Sequence, residues 1–178
     1  NPLPNANAGS DNSICIGDST LLNGSGGISY QWSPATGLSN PGIANPIAIP
    51  SATTTYTVLV TDGNGCKNTD TVTLFVNPLP IVSAGGDVDI CIGSSTQLNA
   101  TGGSIYIWSP NTGLDNSFIS TPTANPISTI TYTVLVTDSN GCKNSDQVLV
   151  TVNPLPTAQT GADTTICNGS SIVLQASG

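Results

Sequence analysis

Apolar and polar side chains alternate through Thr55-Tyr56-Thr57-Val58-Leu59-Val60-Thr61, the period of a strand with one face buried. Tyr56, Val58 and Val60 form the face expected to meet a core. Asp62-Gly63-Asn64-Gly65 follows, a run of residues suited to a tight connection, and alternation resumes through Thr71-Val72-Thr73-Leu74-Phe75-Val76; together they predict a hairpin. Upstream, Ser19-Thr20-Leu21-Leu22-Asn23 and Ile28-Ser29-Tyr30-Gln31-Trp32 read as two more strands around Gly24-Ser25-Gly26-Gly27. Residues 43–49, broken by a proline, read as a short edge strand. No segment carries a helical period.

The same pattern returns 76 residues later. Asn-Pro-Leu-Pro occurs at Asn1, Asn77 and Asn153, and the step carries Cys15 to Cys91 and Cys167, Cys66 to Cys142, Trp32 to Trp108 and Tyr56 to Tyr132. The first two copies share about 46 identical positions without insertion or deletion, so one fold is expected for both. The domain reading is therefore repeat 1 over 1–76, repeat 2 over 77–152, and the start of a third, truncated repeat over 153–178. With about seven short strands per unit and many Gly, Pro, Thr and Ser, the architecture expected is all-β, a two-sheet Greek-key sandwich per repeat. Trp32 and Tyr56, like Trp108 and Tyr132, take the places of a core tryptophan on the third strand and a corner tyrosine on the penultimate one.

Differences between the copies test that assignment. Leu22/Leu98, Val58/Val134, Val60/Val136, Val72/Val148 and Val76/Val152 are unchanged, whereas Thr71/Gln147 and Phe75/Thr151 vary on the opposite parity. Leu59/Leu135 stays apolar on the outward parity, which predicts cover from a loop, a neighbouring repeat or a second chain.

Composition narrows the chemistry. Ten acids, all Asp, face two cations, Lys67 and Lys143, for a net charge of -8, with no Arg, His, Met or Glu. That balance argues against nucleic acid and anionic membrane as partners, and no apolar run of about 18 residues is present to cross a bilayer. No signal peptide precedes Asn1, so a longer parent carrying the targeting parts is expected. Catalysis is not expected: the aspartates fall mostly on turns, no aromatic-lined cleft for sugar is foreseen, and duplication would demand the same site in each repeat.

Five cysteines without histidine or a Cys-x-x-Cys pair lack the spacing of a zinc site. Disulfides are the better reading, with Cys167 finding its partner beyond the window. Pairing Cys15 with Cys66 and Cys91 with Cys142 closes loops worth about 4 kcal/mol each in the chain-entropy model. In a sandwich, however, the connection before the second strand and the last hairpin lie at opposite poles, and Cα atoms more than about 7 Å apart cannot be bridged. The alternative is a bond between neighbouring repeats or chains. Either arrangement implies an oxidising compartment outside the cytoplasm.

Other candidate sites are weaker. Asp62, Asn64 and Asp70, with Asp138, Asn140 and Asp146 in the second copy, offer hard oxygens to calcium beside the hairpin; the competing role is turn-making. No other cofactor is expected. Tyr30 and Tyr106 are candidates for carbohydrate contact or for packing beside the tryptophan. The prolines of Asn-Pro-Leu-Pro stiffen the joint between repeats, which predicts a semi-rigid rod whose nearest partners are its own neighbouring repeats.

Ala8-Gly9 with Asp11, Cys15-Ile16-Gly17, Tyr30-Gln31-Trp32-Ser33-Pro34, Thr36-Gly37-Leu38, Thr55-Tyr56-Thr57-Val58 and Thr61-Asp62-Gly63-Asn64-Gly65-Cys66 resemble the PKD-like and immunoglobulin-like repeats of very large surface proteins of the Bacteroidota, including the mobile adhesins of gliding motility. The resemblance spans the whole chain. It implies tandem immunoglobulin-like sandwiches, export by a type IX system with a sorting domain beyond Gly178, and display as filaments, with other copies as partners, touching extracellular surfaces or polysaccharide. It also implies O-glycosylation at Ser19, Thr71 and Thr164, each following an aspartate. The Trp-Asp-Phe-Gly-Asp segment of PKD domains is replaced by Trp32-Ser33-Pro34, so residue roles do not transfer from it. Spacer domains on a secreted hydrolase, or a calcium- or sugar-binding module, are the rival functions.

Overall fold

A computed structural model describes residues 1–177. Repeat 1 contains β1 (Asn12–Cys15), β2 (Thr20–Leu21), β3 (Ser29–Ser33), β4 (Ile47–Ala48), β5 (Thr54–Thr61) and β6 (Lys67–Asn77). The four-stranded sheet runs β1-β6-β5-β3, and β2 pairs with β4 in a second, smaller sheet. β1 to β4 thus alternate between the two sheets, while β5 and β6 form a hairpin in the larger one, giving an all-β, immunoglobulin-like sandwich. Repeat 2 repeats it with β7 (Val88–Cys91), β8 (Thr96–Gln97), β9 (Ile105–Ser109), β10 (Thr123–Ala124), β11 (Ile130–Thr137) and β12 (Lys143–Asn153), in the orders β7-β12-β11-β9 and β10-β8. Further on, β13 (Gln159–Thr160) pairs with β14 (Ala176–Ser177), the counterpart of the Asn7 to Ser25 bridge of repeat 1.

By Cα packing the chain forms two compact units. One holds residues 1–82 together with 101–105 and 135–145, and the other holds 83–100, 106–134 and the residues from Asp146 on. Only the turn end of the β11–β12 hairpin, residues 135–145, therefore belongs to the same compact unit as repeat 1.

Alternation along β5 places Tyr56, Val58 and Val60 inward with no exposed area. They meet Leu22, Trp32, Ala48, Val72 and Leu74 in one core, each large aliphatic contributing about 1.5 to 3 kcal/mol by leaving water. The buried aromatics satisfy their polar atoms: Trp32 Nε1 donates to the Ile43 carbonyl at 3.0 Å and the Tyr56 hydroxyl donates to the Thr36 carbonyl at 2.9 Å. Trp108 and Tyr132 make the same bonds to Ile119 and Thr112. Leu59 is half-buried, in register with Gln31 and Thr69, and Leu135 is exposed over 37% of its surface.

Two features differ from the sequence reading. The first strand, β1, pairs in parallel with β6, from Asn12 opposite Leu74 to Cys15 opposite Asn77. Its only buried residue is Ile14, too little apolar content to signal a strand. The return strand also starts at Lys67 rather than Thr71. Its inward parity carries Asn68 and Asp70 before reaching Val72 and Leu74, because there it faces main chain of the incoming N-terminal segment: Asn68 Nδ2 donates to the Pro4 carbonyl at 2.9 Å, and Asp70 Oδ2 accepts from Ala8 N at 2.8 Å. Between them the segment leaves its bridge to Ser25 and crosses to β6, a switch made at Ala8 and at Gly9, whose φ of 86° disfavours any side chain.

Burial raises the pKa of Tyr56 and of Tyr132 above 10.0. The folded state favours the neutral phenol, so this stabilisation is complete below pH 10 and is lost as pH rises beyond it. Tyr56→Phe keeps the ring and removes the hydroxyl. It is expected to cost about 1 kcal/mol at neutral pH, from loss of the bond to Thr36, and to reduce the alkaline loss of stability; thermal melts at neutral pH and above pH 10 check both.

Candidate functional site

The aspartates singled out for calcium are placed by turn and strand geometry. In the β5–β6 turn, Asp62 Oδ1 accepts from both Asn64 N and Cys66 N at 2.8 Å, and Asp138 Oδ1 repeats this with Asn140 N and Cys142 N at 2.8 and 2.9 Å. Asn64 and Asn140 take part through their main-chain amides. Asp70 lies on β6 opposite Val58, beyond the three residue pairs from Leu59 to Thr61 that separate it from the turn, and holds Ala8; Asp146 holds Ala84 N at 2.8 Å. Among the described residues no three His, Cys, Asp or Glu side chains converge as a metal group would require. Asp11 and Asp87 tie the sheet edge instead, accepting from Thr73 N and Leu149 N at 2.7 and 2.9 Å.

Amide donation by Ala84, then by Gln147, lowers the pKa of Asp146 below its ordinary 3.8. The candidate sugar contact Tyr30 is half-buried against the core and donates its hydroxyl to the Gly27 carbonyl at 2.8 Å. A cleft of about 340 Å³ opens beside β1 over Ala8, Asp11, Leu22, Val72 and Leu74, with no aromatic ring in its lining. Ser19, Thr71 and Thr164 are all exposed.

Two of the five cysteines meet, but not within a repeat. Cys15 is bonded to Cys142, with their Cα atoms 5.5 Å apart and a sequence separation of 127. The expected bonds Cys15 to Cys66 and Cys91 to Cys142 are therefore corrected. The reason lies in β6: Cys66 precedes its first residue, whereas Cys15 sits beside its last, Asn77. Eleven residues of strand put those ends about 34 Å apart, several times the reach of a disulfide. Cys66 is half-buried and Cys91 and Cys167 are exposed, all three as free thiols.

The bond closes over the joint between repeats. Asn77 ends β6 of repeat 1, and Pro80 is already buried and held by repeat 2, its carbonyl accepting from Asn144 Nδ2 at 3.0 Å. Only Pro78 and Leu79 lie between. The joint is thus crossed twice by covalent structure, once through two residues of main chain and once through sulfur. The pairing was accessible to sequence reasoning only through its geometric objection, that Cys15 and the hairpin occupy opposite poles. Asn68 and Asp70 carried a second, unused signal: polar residues on the buried parity, identical in both copies.

Two outcomes follow. Trypsin has only Lys67 and Lys143 to cut after, so a non-reducing digest is expected to leave peptides 1–67 and 68–143 linked; bonds within each repeat would leave them separate. Asp146→Ala is expected to lower the melting temperature at neutral pH. Because the folded pKa is depressed, the carboxylate's contribution is complete above 3.8 and is lost as pH falls through the folded value. The gap between variant and parent should therefore narrow in acid, and a gap of constant size would show that the charge plays no part.

No family model matches the chain, and no curated protein matches it. Solved structures resemble it at low identity: the Ig1 and Ig2 domains of DIP-gamma (12% identity, TM-score 0.43, 85% of this chain and 98% of that one), the insect immune protein hemolin (17%, 0.45, 85% and 47%), and the PKD domain of the KIAA 1837 protein (24%, 0.38, 44% and 90%). The strand order and pairing described above are what make each repeat an immunoglobulin-like sandwich.

Proposed function

We propose that the chain is a structural and adhesive segment of a large secreted cell-surface protein, in which disulfide-tied sandwiches form a semi-rigid stalk or filament for surface attachment or gliding. The observation that carries this reading is the Cys15–Cys142 bond across a joint of two free residues. The bond joins residues of two successive sequence repeats and so ties the hairpin turn of the second to the first, which suits a chain that transmits tension. The disulfide fits an oxidising extracellular setting, and among the described residues no helix is long and apolar enough to cross a membrane. The motif resemblance to mobile gliding adhesins supports the cell-surface assignment, and the acidic, cation-poor composition keeps neighbouring stalks apart through like charge.

Pulling the chain by its two ends tests it. With the bond intact, the residues between Cys15 and Cys142 are shielded from force, so the chain should resist extension through them. Reduction should release 127 residues, adding roughly 450 Å of contour length at about 3.5 Å per residue. An oxidised chain that already lengthens by that amount at low force would remove the basis for a tension-bearing stalk.

A further inference from the structure

We infer that Cys66 and Cys91 are the two halves of the same inter-repeat bond, each built to receive a further repeat: Cys91 takes the hairpin cysteine of a repeat that follows, and Cys66 takes the strand cysteine of a repeat that precedes. In an extended array the bonds then form a continuous ladder, strand cysteine of one repeat to hairpin cysteine of the next. This rests on the array reading above but concerns connectivity rather than mechanical role.

Both halves are already in place. Cys91 stands opposite Asn153 at the end of a parallel pairing with β12, as Cys15 stands opposite Asn77. The flanking bonds also match: Ile92 N donates to the Asn153 carbonyl as Ile16 N does to Asn77, both at 2.9 Å, and Ser94 N donates to the Cys91 carbonyl at 2.9 Å as Asp18 N does to Cys15 at 3.0 Å. On the other side, the Cys66 amide is fixed by Asp62 at 2.8 Å and the Cys142 amide by Asp138 at 2.9 Å, in turns whose glycines, Gly65 and Gly141, share a φ of 81°. The bonded pair Cys15–Cys142 therefore shows what each free thiol is shaped to do. Neither free cysteine can meet the other cysteine of its own repeat, since β6 and β12 each hold the two positions about 34 Å apart.

The chemistry is thiol–disulfide exchange with a small-molecule disulfide such as oxidised glutathione. One cysteine thiolate attacks it, releasing one glutathione thiolate and leaving a mixed disulfide. The second cysteine thiolate displaces the other glutathione, and the two protons given up by the cysteines end on the two glutathione thiols.

Two extended chains test the ladder. In the first, a copy of residues 27–76 follows Gly178 and completes the third repeat, supplying a copy of Cys66; in the second, a copy of residues 77–152 precedes Asn1 and supplies a copy of Cys91. Each is refolded in a glutathione redox buffer, digested with trypsin without reduction and sequenced by mass spectrometry. Cys91 should pass from wholly free to mostly bonded to the added Cys66 copy in the first, and Cys66 likewise to the added Cys91 copy in the second, with Cys15–Cys142 retained in both. Cys91 or Cys66 left free, or bonded to any other cysteine, in a chain that retains Cys15–Cys142 would overturn the ladder. Should one extension lose that bond through misfolding, the other decides. Because the readout is connectivity, a ladder that fails here leaves the pulling experiment to judge the stalk on its own.

Discussion

A strand of eleven residues cannot bring its ends together, and β6 imposes that separation on everything around it. It pairs on one edge with β1, in parallel, and on the other with β5, antiparallel. The chain therefore enters the repeat beside the hairpin, where Asn68 and Asp70 receive it, and leaves it beside Cys15. Entry and exit of repeat 1 thus lie at opposite poles. The disulfide follows from this placement: the strand cysteine and the hairpin cysteine of one repeat are far apart, while those of adjacent repeats are brought to 5.5 Å between Cα atoms.

What the sequence made legible is what depends on side-chain periodicity. Tyr56, Val58 and Val60 announce a strand because apolar and polar residues alternate along it, and Trp32 and Tyr56 announce a sandwich because their kinds and spacing are those of its core. The elements that escaped are those held by main chain. β1 carries one buried residue, Ile14, and its pairing with β6 is a matter of backbone bonds with no pattern in the side chains. The first part of β6 is polar on its buried parity because its neighbours there are the amide of Ala8 and the carbonyl of Pro4. The candidate site divides in the same way. Composition pointed to disulfides for all five cysteines, and the structure bonds two of them, Cys15 and Cys142, while Cys66, Cys91 and Cys167 are free; which cysteine meets which depended on poles that no local pattern encodes.

The aspartates show how a chain almost without cations manages its charge. Asp11, Asp62, Asp70 and their counterparts Asp87, Asp138 and Asp146 accept hydrogen bonds from main-chain amides, which stabilise a carboxylate without a salt bridge. Asp11, Asp70, Asp87 and Asp146 tie an edge or N-terminal segment to a strand and Asp62 and Asp138 close the hairpin turns, so the acids that keep the surface negative also hold the connections of the sandwich.

The spacing of the bonded cysteines also bears on the order of events during biogenesis. Cys15 is made early and its partner 127 residues later, while Cys66 and Cys91 appear in between. An unfolded chain would favour the shorter loops, Cys66 to Cys91 and Cys15 to Cys66, over Cys15 to Cys142 on closure entropy alone. Repeats that fold as they emerge, the N-terminal one first, place Cys66 at the far end of β6 before oxidation can choose it, and Cys15 waits until the second hairpin arrives. A repeat that is folded before its thiols are oxidised thus selects its own cross-links through the span of β6.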